Sequence, residues 1–101
     1  MMNDIGISEN ALREITKIFD GYDKIEYAIL YGSRAKGNFA PYSDIDIALG
    51  GNLTPLEAEE IICRLDELPF AYTFDIVAYD FIKNHSLRAH IDRVGVVVYE
   101  R

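Results

Sequence analysis

Two short motifs, separated by ten residues, could together hold a metal-bound nucleoside triphosphate. Gly32-Ser33 ends one apolar run, and Asp44-Ile45-Asp46 opens the next. A Gly-Ser turn can offer backbone N–H groups and a hydroxyl to phosphate oxygens. Paired carboxylates supply the hard oxygen ligands that Mg²⁺ prefers. The spacing therefore predicts a nucleotide site formed by the two ends of one loop.

A third carboxylate, Asp75, lies in a later apolar run. Three acidic side chains on one face would repel one another, and a divalent metal relieves that repulsion. Two metal ions bridged by carboxylates stabilise both the attacking and the leaving oxygen in phosphoryl-type transfer. We therefore expect Asp44 and Asp46 to hold the metal that orients the triphosphate. Asp75 is expected to hold a second metal and to help deprotonate an acceptor hydroxyl.

The loop between the motifs carries further candidates for contact with the triphosphate. Gly32 permits a close approach of the backbone to phosphate, and Ser33 is expected to hydrogen-bond a β- or γ-phosphate oxygen. Arg34 and Lys36 could neutralise the triphosphate, and the alternative for both is solvation on an ordinary loop.

The elements that must position these residues can be predicted from periodicity and capping residues. Ser8 is placed to cap a helix that runs to about Asp20. The capping box Thr54-Pro55-Leu56-Glu57 begins a second helix that ends before Pro69, and Ser86 is expected to cap a last one. Strands are expected at about 24–31, 44–49, 71–78 and 96–99, with Gly50-Gly51 closing the second.

The lengths of the connections predict how these strands pair. The link from the first strand to the second is too short for a helical crossover, so this pair should be antiparallel. The helix between the second and third strands is long enough for a parallel crossover. The expected fold is an α/β (α+β) mixed sheet with helices packed on it, in a single domain over 1–101. If the third strand neighbours the second, Asp75 joins the other carboxylates on one face.

Composition excludes several classes of function. The net charge of −7 disfavours a nucleic-acid surface, which would need clustered Lys and Arg. One cysteine, Cys63, cannot form an internal disulfide and fits a reducing cytoplasm. No apolar run approaches a membrane span, and the segment 1–4 lacks the basic and apolar regions of a signal peptide. We therefore expect a cytoplasmic protein without direct nucleic-acid or membrane contact.

Histidines and tyrosines outside the two motifs have simpler interpretations. His85 and His90 lack the spacing of a metal pair with the carboxylates and are interpreted as surface or capping residues. The tyrosines of the strands are interpreted as packing residues, although one of them could stack on an adenine. These tyrosines are Tyr27, Tyr31, Tyr72 and Tyr79.

At these residues the chain resembles the nucleotidyltransferase superfamily that includes DNA polymerase β. It is most similar to the minimal nucleotidyltransferase (MNT) branch, small proteins often encoded beside a HEPN-domain partner. The resemblance covers most of the chain. It rests on the Gly-Ser-Arg-Ala-Lys-Gly loop, Ser43-Asp44-Ile45-Asp46, Phe74-Asp75-Ile76-Val77 and the closing Gly95-Val96-Val97-Val98-Tyr99.

The resemblance implies a polymerase β-like fold, Mg²⁺ (two ions) and ATP as the nucleotide. It also implies a hetero-oligomer with a HEPN-domain protein. In that branch such a protein is an antitoxin that transfers AMP from ATP to a tyrosine of a HEPN ribonuclease toxin. Its implied catalytic and metal-binding residues are Asp44, Asp46 and Asp75, with Gly32 and Ser33 on the phosphates.

Two other functions remain open from the sequence. The chain could be an antitoxin or regulatory subunit that neutralises its partner by binding alone, although pure binding gives no reason for three clustered acids. Transfer to a small molecule is disfavoured because 101 residues leave no room for a domain that would bind it.

Overall fold

The structure is a computed structural model that describes residues 5–101. The segment 1–4, on which the expectation about a signal peptide rests, lies outside this range. Within residues 5–101 four strands form one mixed sheet in the order β3-β2-β1-β4. The strands are β1 (Ile25–Tyr31), β2 (Ile45–Gly51), β3 (Phe74–Ala78) and β4 (Val96–Glu100). The helices are α1 (Glu9–Asp20), α2 (Ser33–Lys36), α3 (Pro55–Asp66) and α4 (His85–Val94), and a 3₁₀ turn covers Tyr79–Phe81.

The pairings of β2 with its two neighbours confirm the predicted topology. Strand β1 runs antiparallel to β2, and Tyr31 lies opposite Asp46. Strand β3 runs parallel to β2, and Asp46 lies opposite Asp75. The mixed α/β sheet expected from the lengths of the connections is therefore confirmed.

Side-chain caps fix where the longer helices begin. The Ser8 hydroxyl accepts a hydrogen bond from the N–H of Ala11, and the capping box of Thr54 and Glu57 is complete, so both predictions are confirmed. The expectation that Ser86 caps the last helix is wrong. Asn84 caps it instead, because its side chain accepts a hydrogen bond from the N–H of Leu87.

Strand β2 is longer than predicted because it continues through Gly50 and Gly51 rather than ending there. The ring of Tyr27 on β1 lies over Gly50, where a β-carbon would be 1.9 Å from Tyr27 Cζ. Gly51 has a φ of +126°, and a β-carbon there would be 1.9 Å from the carbonyl oxygen of Lys24. Here glycine permits close approach of the neighbouring strand and does not mark a turn.

The alternation of β2 separates the core from the candidate site. Ile45, Ile47 and Leu49 are buried on one face. They pack in one hydrophobic cluster with residues of α1 and α3, including Ile15, Phe19, Ile61 and Leu65. On the other face Ala48 packs with Tyr31 and with Ile91 of α4. Asp46 has the parity of Ala48, so it lies on the face that α4 covers.

No helix within residues 5–101 combines the length and the apolar character that a membrane span requires.

Candidate functional site

Acidic side chains and a tyrosine form a row across three neighbouring strands. Tyr31 on β1, Asp46 on β2 and Asp75 on β3 are register partners, and such partners lie on the same face of a sheet. Adjacent strands are about 4.8 Å apart, so the side chains of register partners lie beside one another. Asp44 precedes β2 with the parity of Asp46 and accepts a hydrogen bond from the Thr73 hydroxyl. The sheet thus brings the three predicted carboxylates to one end of one face, and we call Asp44, Asp46, Asp75 and Tyr31 together the acidic row.

Gly32 joins the Gly-Ser motif to this acidic row. It lies between β1 and α2 with a φ of +78° and a ψ of −157°. A β-carbon at this position would lie 2.4 Å from Asp46 Oδ2. The backbone of the loop therefore approaches the Asp46 carboxylate as closely as only glycine permits.

The row carries negative charge that its surroundings do not fully compensate. The pKa of Asp46 is raised from 3.8 to about 6, mainly by burial and then by the charges of Asp75 and Asp44, while Arg34 opposes the shift. Burial also raises the pKa of the neighbouring Tyr31 hydroxyl well above its usual range, with smaller contributions from Asp75 and Asp46. Loss of a proton from either group therefore costs more here than in water.

The chemistry of these donors fits a divalent cation that arrives with a triphosphate. Among residues 5–101 no three His, Cys, Asp or Glu side chains are arranged to hold a metal ion by themselves. Mg²⁺ is usually bound by one or two carboxylates together with substrate phosphates, so a closed protein cage is not required. The carboxylates that could hold it are Asp44 and Asp75, both exposed to solvent, and the half-buried Asp46.

Helix α2 places the remaining predicted residues of the loop. Ser33, its first residue, is half-buried, and Lys36, its last, is exposed. The first N–H groups of a helix have no intrahelical acceptor, and together with the Ser33 hydroxyl they can donate hydrogen bonds to phosphate oxygens. Helix α2 is a single turn of four residues, and contacts of Ser33 and Lys36 with phosphate remain predictions.

Arg34 occupies a position that does not fit the predicted contact with phosphate. Its side chain is buried, with 1% of its surface exposed. The guanidinium makes five hydrogen bonds, all to backbone carbonyl oxygens, and lies 5.1 Å from the ring centre of Phe39 and 5.5 Å from that of Tyr72. The four acceptor carbonyls belong to Ile5, Gly6, Pro41 and Ser43. Arg34 therefore neither contacts solvent on the loop nor is free to contact phosphate. Its hydrogen bonds link the loop to Ile5 and Gly6 near the N-terminus.

Two neighbours of the carboxylates are not among the residues that the sequence predicts as ligands of the metal or the phosphates. Thr73 donates its hydroxyl proton to Asp44, and Tyr31 forms one end of the acidic row. Thr73 could have been found from the sequence, because a parallel register that pairs Asp46 with Asp75 also places Thr73 opposite Asp44. Tyr31 was interpreted as packing, and it does pack edge-to-face on His90, with ring centres 6.2 Å apart. His85 is exposed at the start of α4.

Comparison with known families identifies one match. The family model described as polymerase beta, nucleotidyltransferase matches residues 13–101. None of the curated proteins matches the chain.

Several solved structures share the fold. A toxin–antitoxin structure with AMP-PNP is 22% identical, with a TM-score of 0.73 over 94% of this chain and 75% of that one. The toxin–antitoxin pair MntA–HepT is 20% identical, with a TM-score of 0.69 over 93% and 74%. A tri-AMPylated Shewanella oneidensis HEPN toxin in complex with MNT antitoxin gives 20% identity and a TM-score of 0.69 over 92% and 72%. At these identities the similarity shows a common fold.

Proposed function

This chain belongs to the polymerase β nucleotidyltransferase family, and from that premise we propose that it transfers AMP from ATP to a tyrosine hydroxyl of a HEPN-domain partner protein. In this proposal it is the antitoxin of that partner and acts in the cytoplasm. The observation that carries the proposal is the contact between the two motifs. Gly32 opens the phosphate-binding turn directly against Asp46, the central carboxylate of the acidic row.

The residues of the site have separate tasks in this reaction. The N–H groups at the start of α2 and the Ser33 hydroxyl bind the β- and γ-phosphates, while Lys36 offsets their charge. Asp44, Asp46 and Asp75 would hold Mg²⁺, which when bound would neutralise the triphosphate and polarise the reacting phosphoryl group. Thr73 holds the Asp44 carboxylate in place through its hydrogen bond.

The transfer step conserves atoms and charge without a further reactant. The acceptor oxygen forms a bond to the α-phosphorus while the bond from that phosphorus to the bridging oxygen of pyrophosphate breaks. The proton of the acceptor hydroxyl moves to the Asp75 carboxylate, which is exposed at the end of the row. Pyrophosphate leaves with its charge held by the turn and by Lys36.

A separate protein is the acceptor best suited to this site. Asp44 and Asp75 are exposed, so a surface hydroxyl of another protein can reach them directly. The similar structures support this choice, since one is a complex of an AMPylated HEPN toxin with its MNT antitoxin and another is a toxin–antitoxin complex with AMP-PNP.

Transfer of label from ATP tests the proposal. The chain and the HEPN-domain protein of the same genome are incubated with Mg²⁺ and ATP labelled at the α-phosphate. We expect covalent label on a tyrosine of the HEPN protein, and none when the double variant Asp44→Asn, Asp46→Asn replaces the wild-type chain. Omission of the HEPN protein and replacement of ATP by the other three nucleotides define the acceptor and the base preference.

A partner that stays inhibited without label would overturn the catalytic proposal. If the double variant still silences the HEPN protein in the absence of nucleotide, the chain acts by occlusion alone. Growth protection against an aminoglycoside would instead indicate transfer to a small molecule.

A further inference from the structure

Tyr42 is the most exposed large hydrophobic side chain in residues 5–101, with 86% of its surface open to solvent. It occupies the third position of the β-turn Ala40-Pro41-Tyr42-Ser43. The Ser43 N–H donates to the carbonyl oxygen of Ala40 at 3.0 Å, and the Ala40 N–H donates to the Ser43 hydroxyl at 2.9 Å. Pro41 fixes its own φ at the second position, where proline is favoured. Two hydrogen bonds and a proline therefore hold the backbone that carries the ring.

Arg34 immobilises this turn from beneath. Its guanidinium donates to the carbonyl oxygen of Pro41 at 3.3 Å and to that of Ser43 at 2.9 Å, the residues on either side of Tyr42. Because Arg34 is itself buried, the turn is anchored to the body of the domain. Such attachment is unusual for the tip of a solvent-exposed loop, where high mobility is the rule. The protein thus holds a large aromatic ring in water on a fixed support.

The location of the turn gives this ring a use. Ser43 leads directly into Asp44, so Tyr42 lies two residues before the first carboxylate of the site, and both residues are exposed to solvent. Rigid aromatic side chains contribute much of the binding energy of protein interfaces, since little conformational entropy is lost when they are buried. The surroundings are acidic, with three carboxylates in the row and a net charge of −7 for the chain.

We propose that Tyr42 is the docking anchor for the acceptor protein, and that the surface it meets carries Lys or Arg beside the acceptor hydroxyl. A basic side chain stacked on the ring gains a cation–π contact, and its neighbours complement the acidic rim. Docking at Tyr42 fixes the approach of the acceptor to the reacting phosphate. This inference rests on the proposed function, since it assumes a protein acceptor at this site.

A single tryptophan tests the anchor directly. The chain contains no tryptophan, so Tyr42→Trp places the only indole at this position. A saturating concentration of HEPN-domain protein should shift the fluorescence emission of this indole to the blue. The emission of the same mixture made with the wild-type chain is subtracted first. A change on addition of Mg²⁺ and ATP alone would overturn the proposal in favour of stacking on the nucleobase. An unchanged emission in a complex that forms would overturn it as well.

Binding of the HEPN protein gives a second readout that does not depend on catalysis. Tyr42→Ala should weaken the complex by about tenfold or more, whereas Tyr42→Phe, which keeps the ring, should bind like the wild type. Leu56→Ala is the matched control, because Leu56 is 75% exposed on α3 and outside the site. Affinity for ATP should be equal in all four chains. Equal binding of the HEPN protein by Tyr42→Ala and Leu56→Ala would contradict the anchor.

The two proposals fail in different ways. Label absent from the HEPN protein, with a complex that still depends on Tyr42, removes the transfer reaction and keeps the anchor. Label present with a complex that ignores Tyr42 removes the anchor and keeps the reaction. A wild-type chain that forms no complex with the HEPN protein overturns both.

Discussion

The α-carbon of Gly32 lies against the carboxylate of Asp46, so closely that a β-carbon would be 2.4 Å from Oδ2. These residues belong to motifs that the loop separates in sequence. The antiparallel pairing of β1 with β2 returns the second motif to the end of the first. The turn at Gly32-Ser33 and the acidic row are therefore one structural unit, and a change in either should affect both.

Gly32→Ala should abolish transfer while the domain still folds. The combination of φ and ψ at Gly32 is essentially restricted to glycine, and adopting it costs any other residue about 1–3 kcal/mol. The added methyl group must also displace the Asp46 carboxylate. Gly37→Ala is the matched control, because Gly37 also has a positive φ, of +85°, but a β-carbon there would have no atom within 4 Å apart from those of its chain neighbours. Thermal unfolding and label transfer are measured on both. Full transfer by Gly32→Ala would contradict the contact.

Asp46→Asn should abolish transfer and stabilise the metal-free protein at neutral pH. The folded carboxyl has its pKa raised from 3.8 to about 6, so it binds its proton more tightly than the unfolded chain does. The stability that protonation provides is complete below about pH 4 and is lost as the pH rises through about 6. Because Asp46 is partly exposed, solvent screening reduces the effect on the free energy of unfolding to about 1 kcal/mol.

Chemical denaturation in a chelating buffer checks this pH dependence. The free energy of unfolding of Asp46→Asn should exceed that of the wild type at about pH 8 and equal it at about pH 4. In a second series without chelator, added Mg²⁺ should stabilise the wild type at the higher pH and have less effect on the variant. A difference between the two proteins that does not change with pH would refute the assigned electrostatics.

Strand pairing was predictable from the sequence because it depends on local quantities. Loop length fixed the antiparallel pair, helix length allowed the parallel one, and alternation in β2 put Asp46 on the face opposite Ile45 and Ile47. The position of Asp75 on the same face follows from alternation along β3, once β3 is placed beside β2. The convergence of Asp44, Asp46 and Asp75 at one end of the sheet could therefore be predicted from the sequence.

The role of Arg34 could not be foreseen, because its environment is assembled from distant parts of the chain. Its acceptors include Ile5 and Gly6, and Tyr72 supplies one of the rings it contacts. These residues are far from Arg34 in sequence, and no periodic spacing indicates that they contact it. Basic residues in a candidate phosphate loop suggest a phosphate contact, whereas the choice between such a contact and burial depends on tertiary packing. The two glycines that lie within β2 were misinterpreted for the same reason.

Arg34→Met should destabilise the domain by about 3 kcal/mol or more, since four backbone carbonyls lose a buried donor. Arg34→Lys should recover only part of this, because an ammonium cannot reach carbonyls that the planar guanidinium bridges. Arg13→Met is the control, since Arg13 is exposed on α1 and donates a solvent-exposed hydrogen bond to the side chain of Asn10 on the same helix. Urea denaturation measures all three. Equal stability of the Arg34 and Arg13 variants would contradict the structural role.

Lys36→Ala should raise the KM for ATP by about three- to tenfold, since one exposed charge near the triphosphate contributes about 1 kcal/mol. Lys36 is exposed at the end of α2, so the effect should be electrostatic. It should therefore diminish as salt is raised from about 0.05 M to about 0.5 M, where the screening length becomes shorter than the separation of the charges. The value of kcat should fall less than kcat/KM, because most of the interaction with the triphosphate is already present in the bound state.

Lys17→Ala separates this local effect from the general loss of one positive charge. Lys17 is exposed on α1, which packs on the opposite face of the sheet from the acidic row. Steady-state label transfer at low and high salt gives KM for the wild type and both variants. We expect Lys17→Ala to match the wild type at either salt concentration. If both variants raise KM equally, Lys36 acts only through the net charge of the chain, and its predicted contact with the triphosphate is wrong.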